Sequence, residues 1–374
     1  MRNIKYITNV RIPTPRAQGY AIMKMCEEFS RQGNNVELIV PNRRNNESEK
    51  NPFKYYGIEE NFRIRKIASI DLLGPFEAFG KLFYWIDILS FLLSLGIRRM
   101  WDKGDIIYTR DYLIFSVISP EYSCLEVHDI PKRKFLFKKL IKKPSHIFVL
   151  NKYIKDEIVS MGVGESKIYI SPSGVDIKDF DIPYTIEQAR REVGLPEDKK
   201  IVMYTGHLYE WKGVYTLAEA ARMLPQYLFV FLGGAEPELA QFKESYKNVQ
   251  NIVALPFIER SRIPIYLKSA DVLVVPNSKG SDISEKYTSP LKLLEYMASK
   301  RPIVVSDLPS LKEVLKDECC EFAEADNPKS FAEAINKLIY DTDYSQKCVD
   351  NAYQRVGQFS WKKKAQDIIA VINR

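Results

Sequence analysis

The chain has 374 residues, 45% hydrophobic and 28% charged, a length that predicts two or three domains and the balance of a soluble globular protein. Five cysteines (Cys26, Cys124, Cys319, Cys320, Cys348) without repeating spacing argue against a disulfide or zinc framework, and the opening MRNIKYITNV lacks the apolar stretch of a secretion signal, so a reduced, cytoplasmic protein is expected. Residues 1–150 hold 25 Lys and Arg against 16 Asp and Glu and carry the whole basic excess; that part should face a membrane surface or a phosphorylated acceptor, with nucleic acid not expected.

Strand-like and helical runs alternate from the start. Lys5–Val10 reads as a strand, a helix follows in which Ile22, Met25, Cys26 and Phe29 share a face, and Val36–Val40 is the next strand. This βαβ opening implies a parallel sheet covered on both faces. Gly19, just before the helix, would let a ligand approach the backbone. Residues 41–63 are polar and loop-like. Leu82–Ile97 is an apolar helix, too short to span a bilayer, and reads as a buried or interfacial helix, with burial in the core favoured. Asp105–Arg110 and Cys124–Asp129 are further strands, and His128 stands at the end of the second, where open α/β sheets bind ligands.

Pro131–Pro144 holds seven cations among fourteen residues. Two readings stay open. A stripe of Phe135, Leu136 and Leu140 flanked by lysines would lie on an anionic bilayer; otherwise a solvated helix covers the sheet with Phe137, Leu140 and Ile141 buried. Four or more further strands, each followed by a helix, lie between Ile201 and Asp307 and predict a second doubly wound sheet.

Within that second half, Tyr287–Pro309 reads as loop, helix and buried strand. Ser289 is an N-cap, Pro290 fits the first turn, and Leu291, Leu294, Met297 and Ala298 recur at helical spacing. The N–H groups around Ser289, Leu291 and Lys292 form an anion site, and Glu295, one turn on, can grip two neighbouring hydroxyls. In YTGHLYEWKGV (Tyr204–Val214), Gly206 ends a strand where a turn can approach a phosphate, with His207 partly charged at neutral pH and Lys212 positive.

These two stretches resemble the donor-site signature of retaining GT-B glycosyltransferases of glycosyltransferase family 4. The resemblance implies an α/β, GT-B fold: two Rossmann-like doubly wound domains facing across a cleft, residues 1–172 with a returning helix at 359–374, and residues 173–358. It implies a metal-independent, retaining transfer of a hexose-type sugar from a nucleoside-diphosphate sugar such as a UDP-sugar to a saccharide or lipid-linked saccharide in envelope polysaccharide synthesis, with no cofactor. Of the family's two glutamates, which have seven residues between them, Glu295 matches the second, which holds the ribose. The first falls on Tyr287, with Glu285 two residues earlier. His207 stands where arginine is expected, while Lys212 matches the family's lysine. Gly19 matches the loop of the cleft floor, and backbone near Pro256 and Phe257 reads the base. His128 matches a histidine close to the transferred sugar, which with Lys212 makes the expected catalytic pair. Residues 171–180 look like the family's hinge.

Two Asp-x-Asp triplets, Asp179/Asp181 and Asp341/Asp343, lack the strand context of a metal site, and none is expected. Two other functions share the architecture: a nucleotide-sugar epimerase, which needs acid/base carboxylates, and a non-catalytic partner subunit, suggested by Tyr287 and His207.

Overall fold

The structure, a computed structural model, describes residues 2–45, 47–72, 80–118, 121–287 and 291–374. Its contacts divide the chain into two compact units, Met1–Pro172 with Trp361–Arg374, and Ser173–Ser360.

In the first unit the order is β1 (Asn3–Ile7), α1 (Ala17–Arg31), β2 (Asn35–Pro41), α2 (Pro52–Tyr56), β3 (Arg63–Ile67), α3 (Gly80–Arg98), β4 (Ile106–Thr109), β5 (Ser123–Val127), α4 (Lys134–Leu140), β6 (His146–Val149), α5 (Lys152–Ser160) and β7 (Ile168–Ile170). The strands form one sheet ordered β3-β2-β1-β4-β5-β6-β7, and every pairing is parallel. Ile4, Tyr6 and Ile7 of β1 are fully buried, and so are Ile22, Met25, Cys26 and Phe29 of α1, the face read from their spacing.

Two expectations, for residues 41–63 and for α3, need correction, while α4 buries the residues that one of its two readings expects. The polar stretch 41–63 contains α2, capped by the Asn51 carboxamide accepting from Lys54 N–H, and the edge strand β3 begins at its end. Three cations in its five residues hide β3 from a hydrophobicity reading; Arg65 is held at the edge by Glu37, which also takes Lys5. Burial of α3 is only half realised: Ile88, Phe91, Leu92 and Leu95 enter the core, while Leu82, Trp85, Leu89, Leu93 and Ile97 stay exposed. On α4 the buried residues are Phe137 and Leu140, followed by Ile141, and Phe135 and Leu136 are exposed.

The second unit runs α6 (Ile186–Val193), β8 (Ile201–Thr205), α7 (Val214–Met223), β9 (Leu228–Gly234), α8 (Glu238–Ser245), β10 (Ile252–Pro256), α9 (Ile263–Ser269), β11 (Val272–Val275), α10 (Leu291–Ala298), β12 (Ile303–Ser306), α11 (Pro309–Val314), β13 (Glu321–Ala323), α12 (Pro328–Tyr340) and α13 (Thr342–Val356). Its sheet, again all parallel, is ordered β10-β9-β8-β11-β12-β13. Strand β8 sends Ile201 and Met203 into one apolar cluster and Val202 and Tyr204 into another, so both faces of the sheet are covered. Strand order reverses at β8, which leaves a crevice beyond the carboxyl ends of β8 and β11, the general ligand position of such sheets.

After Ser360 the chain returns to the first unit as α14 (Trp361–Ile372), which packs on α1 with the Trp361 ring edge-on to Tyr20 at 6.3 Å. All five cysteines are free and buried. Among the described residues no helix is long and apolar enough to cross a membrane.

Candidate functional site

The crevice of the second unit is made by two glycine-dependent turns and the start of α10. Gly206, directly after β8, has φ 131°, and a Cβ there would sit 3.0 Å from Lys292 Nζ and 3.2 Å from the Tyr204 hydroxyl. Gly213 has φ 70°, and a Cβ there would meet the Pro276 carbonyl oxygen at 1.7 Å, an impossible contact. The turn bearing Lys212 therefore lies directly on the segment that leaves β11. From the other side α10 is tied to β8 by the Tyr296 hydroxyl, which accepts from Thr205 N–H at 2.8 Å.

Two ammonium groups meet here. Lys292 Nζ stands 3.8 Å over the Tyr204 ring, is buried and has no hydrogen-bond partner. Lys212 Nζ stands 3.7 Å over the ring of Trp211. Among the described residues neither makes an ion pair. Burial, reinforced by the charge of Lys212, pushes Lys292 well below the usual lysine range, and burial takes Lys212 down to about 8. Glu295 and cation–π contact offset part of this cost, but the site holds positive charge out of water without an ion pair among the described residues. Beside it Asn277, fully buried just beyond β11, leaves both carboxamide atoms without a partner. A polar, anionic ligand would satisfy all three side chains.

The other expected residues are placed less uniformly. His207 is exposed and stacks on Tyr209 at 5.0 Å, while its carbonyl accepts from the Tyr204 hydroxyl at 2.7 Å. Leu291 and Lys292 open α10, so their N–H groups belong to its first turn; Ser289 lies outside the described residues. Glu295 is buried and its Oε1 accepts from Arg260 at 2.7 Å, a partner 35 residues away that no motif announces. Phe257 is half-exposed and donates its N–H to the Gly234 carbonyl at 3.0 Å. Tyr287 is buried at the end of the π-helical turn Ile283–Tyr287, and Glu285 in that turn accepts from Gly280 N–H at 2.5 Å. Gly19 does not open space for a ligand: a Cβ there would lie 2.3 Å from the Tyr56 hydroxyl and 2.5 Å from Thr14 Cγ2, so the glycine admits protein packing instead.

In the first unit His128 follows β5 and its Nε2 lies 2.9 Å from Glu126 Oε1. Glu126 is fully buried among Arg110, at 3.3 Å, and Lys364 of α14, at 3.0 Å. Burial alone would raise the Glu126 carboxyl, but Arg110, Lys364 and His128 outweigh it and hold it well below the usual range. An ionised carboxylate only accepts, so Nε2 of His128 carries the hydrogen and Nδ1 is left as an acceptor. Burial, with Arg110 second and Glu126 opposing, pushes His128 down to about 4, which keeps it neutral at neutral pH. The sequence pointed to His128 by position; Glu126 two residues earlier, inside an apolar strand, was the available signal for its partner.

Among the described residues no group of three His, Cys, Asp or Glu side chains could hold a metal. In the Asp-x-Asp triplets, Asp341 caps α13 by accepting from Tyr344 N–H, and Asp179 sits in the turn Ile177–Phe180.

Geometry of this kind can be compared with known proteins. Residues 185–355 match the family described as glycosyl transferases group 1. The matched segment holds Gly206, Lys212, Asn277, Lys292 and Glu295. A putative teichuronic acid biosynthesis glycosyltransferase, TuaC of Bacillus subtilis, is 23% identical over 236 residues, 62% of this chain and 56% of the relative. The chain spans 54–59% of the length of the first curated relatives that it matches. Sucrose-phosphate synthase from Thermosynechococcus elongatus superposes with a TM-score of 0.78 at 17% identity, covering 100% of this chain and 98% of that one. Anabaena HepE, in complex with UDP-glucose, gives 0.77 at 14% identity with both chains fully covered. At these identities the likeness is one of fold: two Rossmann-like parallel-sheet domains of the GT-B class.

Proposed function

We propose that the chain is a retaining transferase of glycosyltransferase family 4. It moves a hexose-type sugar from a nucleoside-diphosphate sugar to a saccharide or lipid-linked saccharide in envelope polysaccharide synthesis, on the cytoplasmic side of the membrane. The observation that carries this reading is the buried, unpartnered ammonium of Lys292 beside Lys212 at the crevice of the second sheet. Two cations that make no ion pair among the described residues suit a diphosphate. The group 1 match, the TuaC resemblance and the UDP-glucose in HepE point the same way.

As the bond from the anomeric carbon to the diphosphate breaks, its electron pair passes to the diphosphate oxygen, and Lys212 and Lys292 meet the charge that appears. The acceptor oxygen bonds to the anomeric carbon on the same face and its proton leaves with the diphosphate. With two ammonium groups in that role the reaction has no need of a divalent ion. Glu295, held by Arg260 through Oε1, turns Oε2 to the ribose. His128 offers Nδ1 to a hydroxyl of the sugar or of the acceptor. The base and the sugar are settled by thermal shift against UDP-, GDP-, ADP- and dTDP-sugars. A donor that raises the melting temperature of the wild type and not of Lys292→Met supports the proposal. No shift with any donor, an equal shift in the variant, or conversion of the donor without an acceptor, as an epimerase would give, overturns it.

A further inference from the structure

Helix α3 is apolar on both sides. One side, Ile88, Phe91, Leu92 and Leu95, packs into the first unit, and Asp87, its one carboxylate, is buried on that side. The other side presents Leu82 (61% exposed), Trp85 (43%), Leu89 (60%), Leu93 (63%) and Ile97 (73%). At 100° per residue these five fall within one 120° arc, so they form a continuous stripe along four turns. A helix that is hydrophobic all round is normally buried or in lipid, and exposed apolar stripes of this length mark an interaction surface.

The surroundings of the stripe select its occupant. Exposed Arg98 closes α3, and exposed Arg99 and Lys103 follow it, with one exposed acid, Asp102, between them. At Gly96 the helix lies against Val117, 3.6 Å from a built Cβ, and the adjoining turn Tyr112–Ser116 packs its Tyr112 ring on Phe137 of α4 at 5.0 Å. Thus α3 and α4 share a neighbour, and α4 adds exposed Phe135 and Leu136 to seven cations and no acid between 131 and 144. Four aliphatic side chains and a single indole N–H offer a glycan too few hydrogen-bonding groups, and a second copy would bring one cationic rim against another. We infer that the α3 stripe, with the basic segments at 98–103 and 131–144, seats the first unit on an anionic phospholipid surface, the helix lying in the interface plane. Trp85 suits that depth, since indole favours the headgroup level. The inference uses the first unit alone and stands apart from the donor site.

The test is sedimentation of the full chain with sucrose-loaded vesicles of phosphatidylcholine containing 30% phosphatidylglycerol, against phosphatidylcholine alone. The wild type should sediment with the anionic vesicles, more weakly as salt rises. Leu89→Gln/Leu93→Gln, both exposed changes, should lower vesicle affinity at least tenfold with an unchanged melting temperature. Brominated lipid should quench tryptophan emission, and Trp85→Phe should lose that quenching. No sedimentation with either vesicle, wild-type affinity in the double variant, or a dimer without lipid that the double variant splits would each overturn the inference.

Discussion

Lys364 Nζ lies 3.0 Å from Glu126 Oε1, the same oxygen that accepts from His128, and 2.8 Å from each of two main-chain carbonyls, at Ser171 and Pro172. One lysine of α14 thus neutralises the carboxylate behind His128 and fixes the backbone where the first unit's N-terminal part ends. Lys364→Met leaves a buried carboxylate one cation short and should cost about 3–5 kcal/mol. Adding Glu126→Gln should recover part of this. A urea denaturation cycle over the four proteins measures the coupling, and additive losses would show the pair to be energetically separate.

The pH dependence of His128 has a definite sign. Its folded value of about 4 lies below the free value of about 6.5, so the unfolded chain binds the extra proton between them. The stability it contributes is complete above about pH 6.5 and is lost as pH falls toward 4. His128→Gln should flatten the urea midpoint between those pH values. Turnover of the wild type should show no histidine limb between pH 6 and 8, because His128 is already neutral there.

Lys292 should trade stability for binding. Lys292→Met removes a desolvated ammonium with no partner, so the ligand-free protein should melt higher than the wild type. Affinity for UDP should fall roughly tenfold to hundredfold, the range for one charge-assisted contact of about 1.5–3 kcal/mol. Calorimetric titration and a melting curve read both effects.

Lys212 sets a second pH effect. With its free value near 8, a diphosphate favours the protonated form, so UDP binding should take up a proton near pH 8 and weaken as pH rises through that value. Titration in two buffers of different ionisation enthalpy measures the uptake. The sequence offered His207, partly charged at neutral pH, as a second titrating group; an exposed, stacked histidine is less suited to such a fall than the buried lysines, and Lys212→Met, not His207→Arg, should abolish it.

Gly213→Ala should be far worse than Gly194→Ala. Both glycines have φ 70°, but a Cβ at Gly194 has nothing within 4 Å, whereas at Gly213 it strikes the Pro276 carbonyl. Gly194→Ala should cost about 1 kcal/mol for the left-handed backbone. Gly213→Ala should cost roughly 2–5 kcal/mol, since overpacking is added, and should displace Lys212 from its turn. Denaturation midpoints and UDP affinity of the pair decide it.

The doubly wound sheets were legible because fully buried parallel strands such as β9 and β11 read as unbroken apolar runs. Helix α3 was legible as a helix but not in its burial, because periodicity carries no information when both faces are apolar. Lys292 was read for its N–H group; only the packing of Tyr204 beneath it shows its ammonium to be sequestered. Arg260 on Glu295 and Lys364 on Glu126 were invisible for a simpler reason. Each joins residues far apart in the chain, and Lys364 is one of three consecutive lysines that composition cannot tell apart.

The return of α14 to the first sheet also fixes an order of events at the ribosome. The 188 residues of Ser173–Ser360 must be added before Trp361 and Lys364 exist, a wait of roughly ten to forty seconds at about 5–20 residues per second. During that interval α1 lacks its neighbour and Glu126 has Arg110 but not Lys364 as a counter-charge, so the half made first is finished last, and a nascent chain stalled before residue 361 is a natural substrate for chaperones.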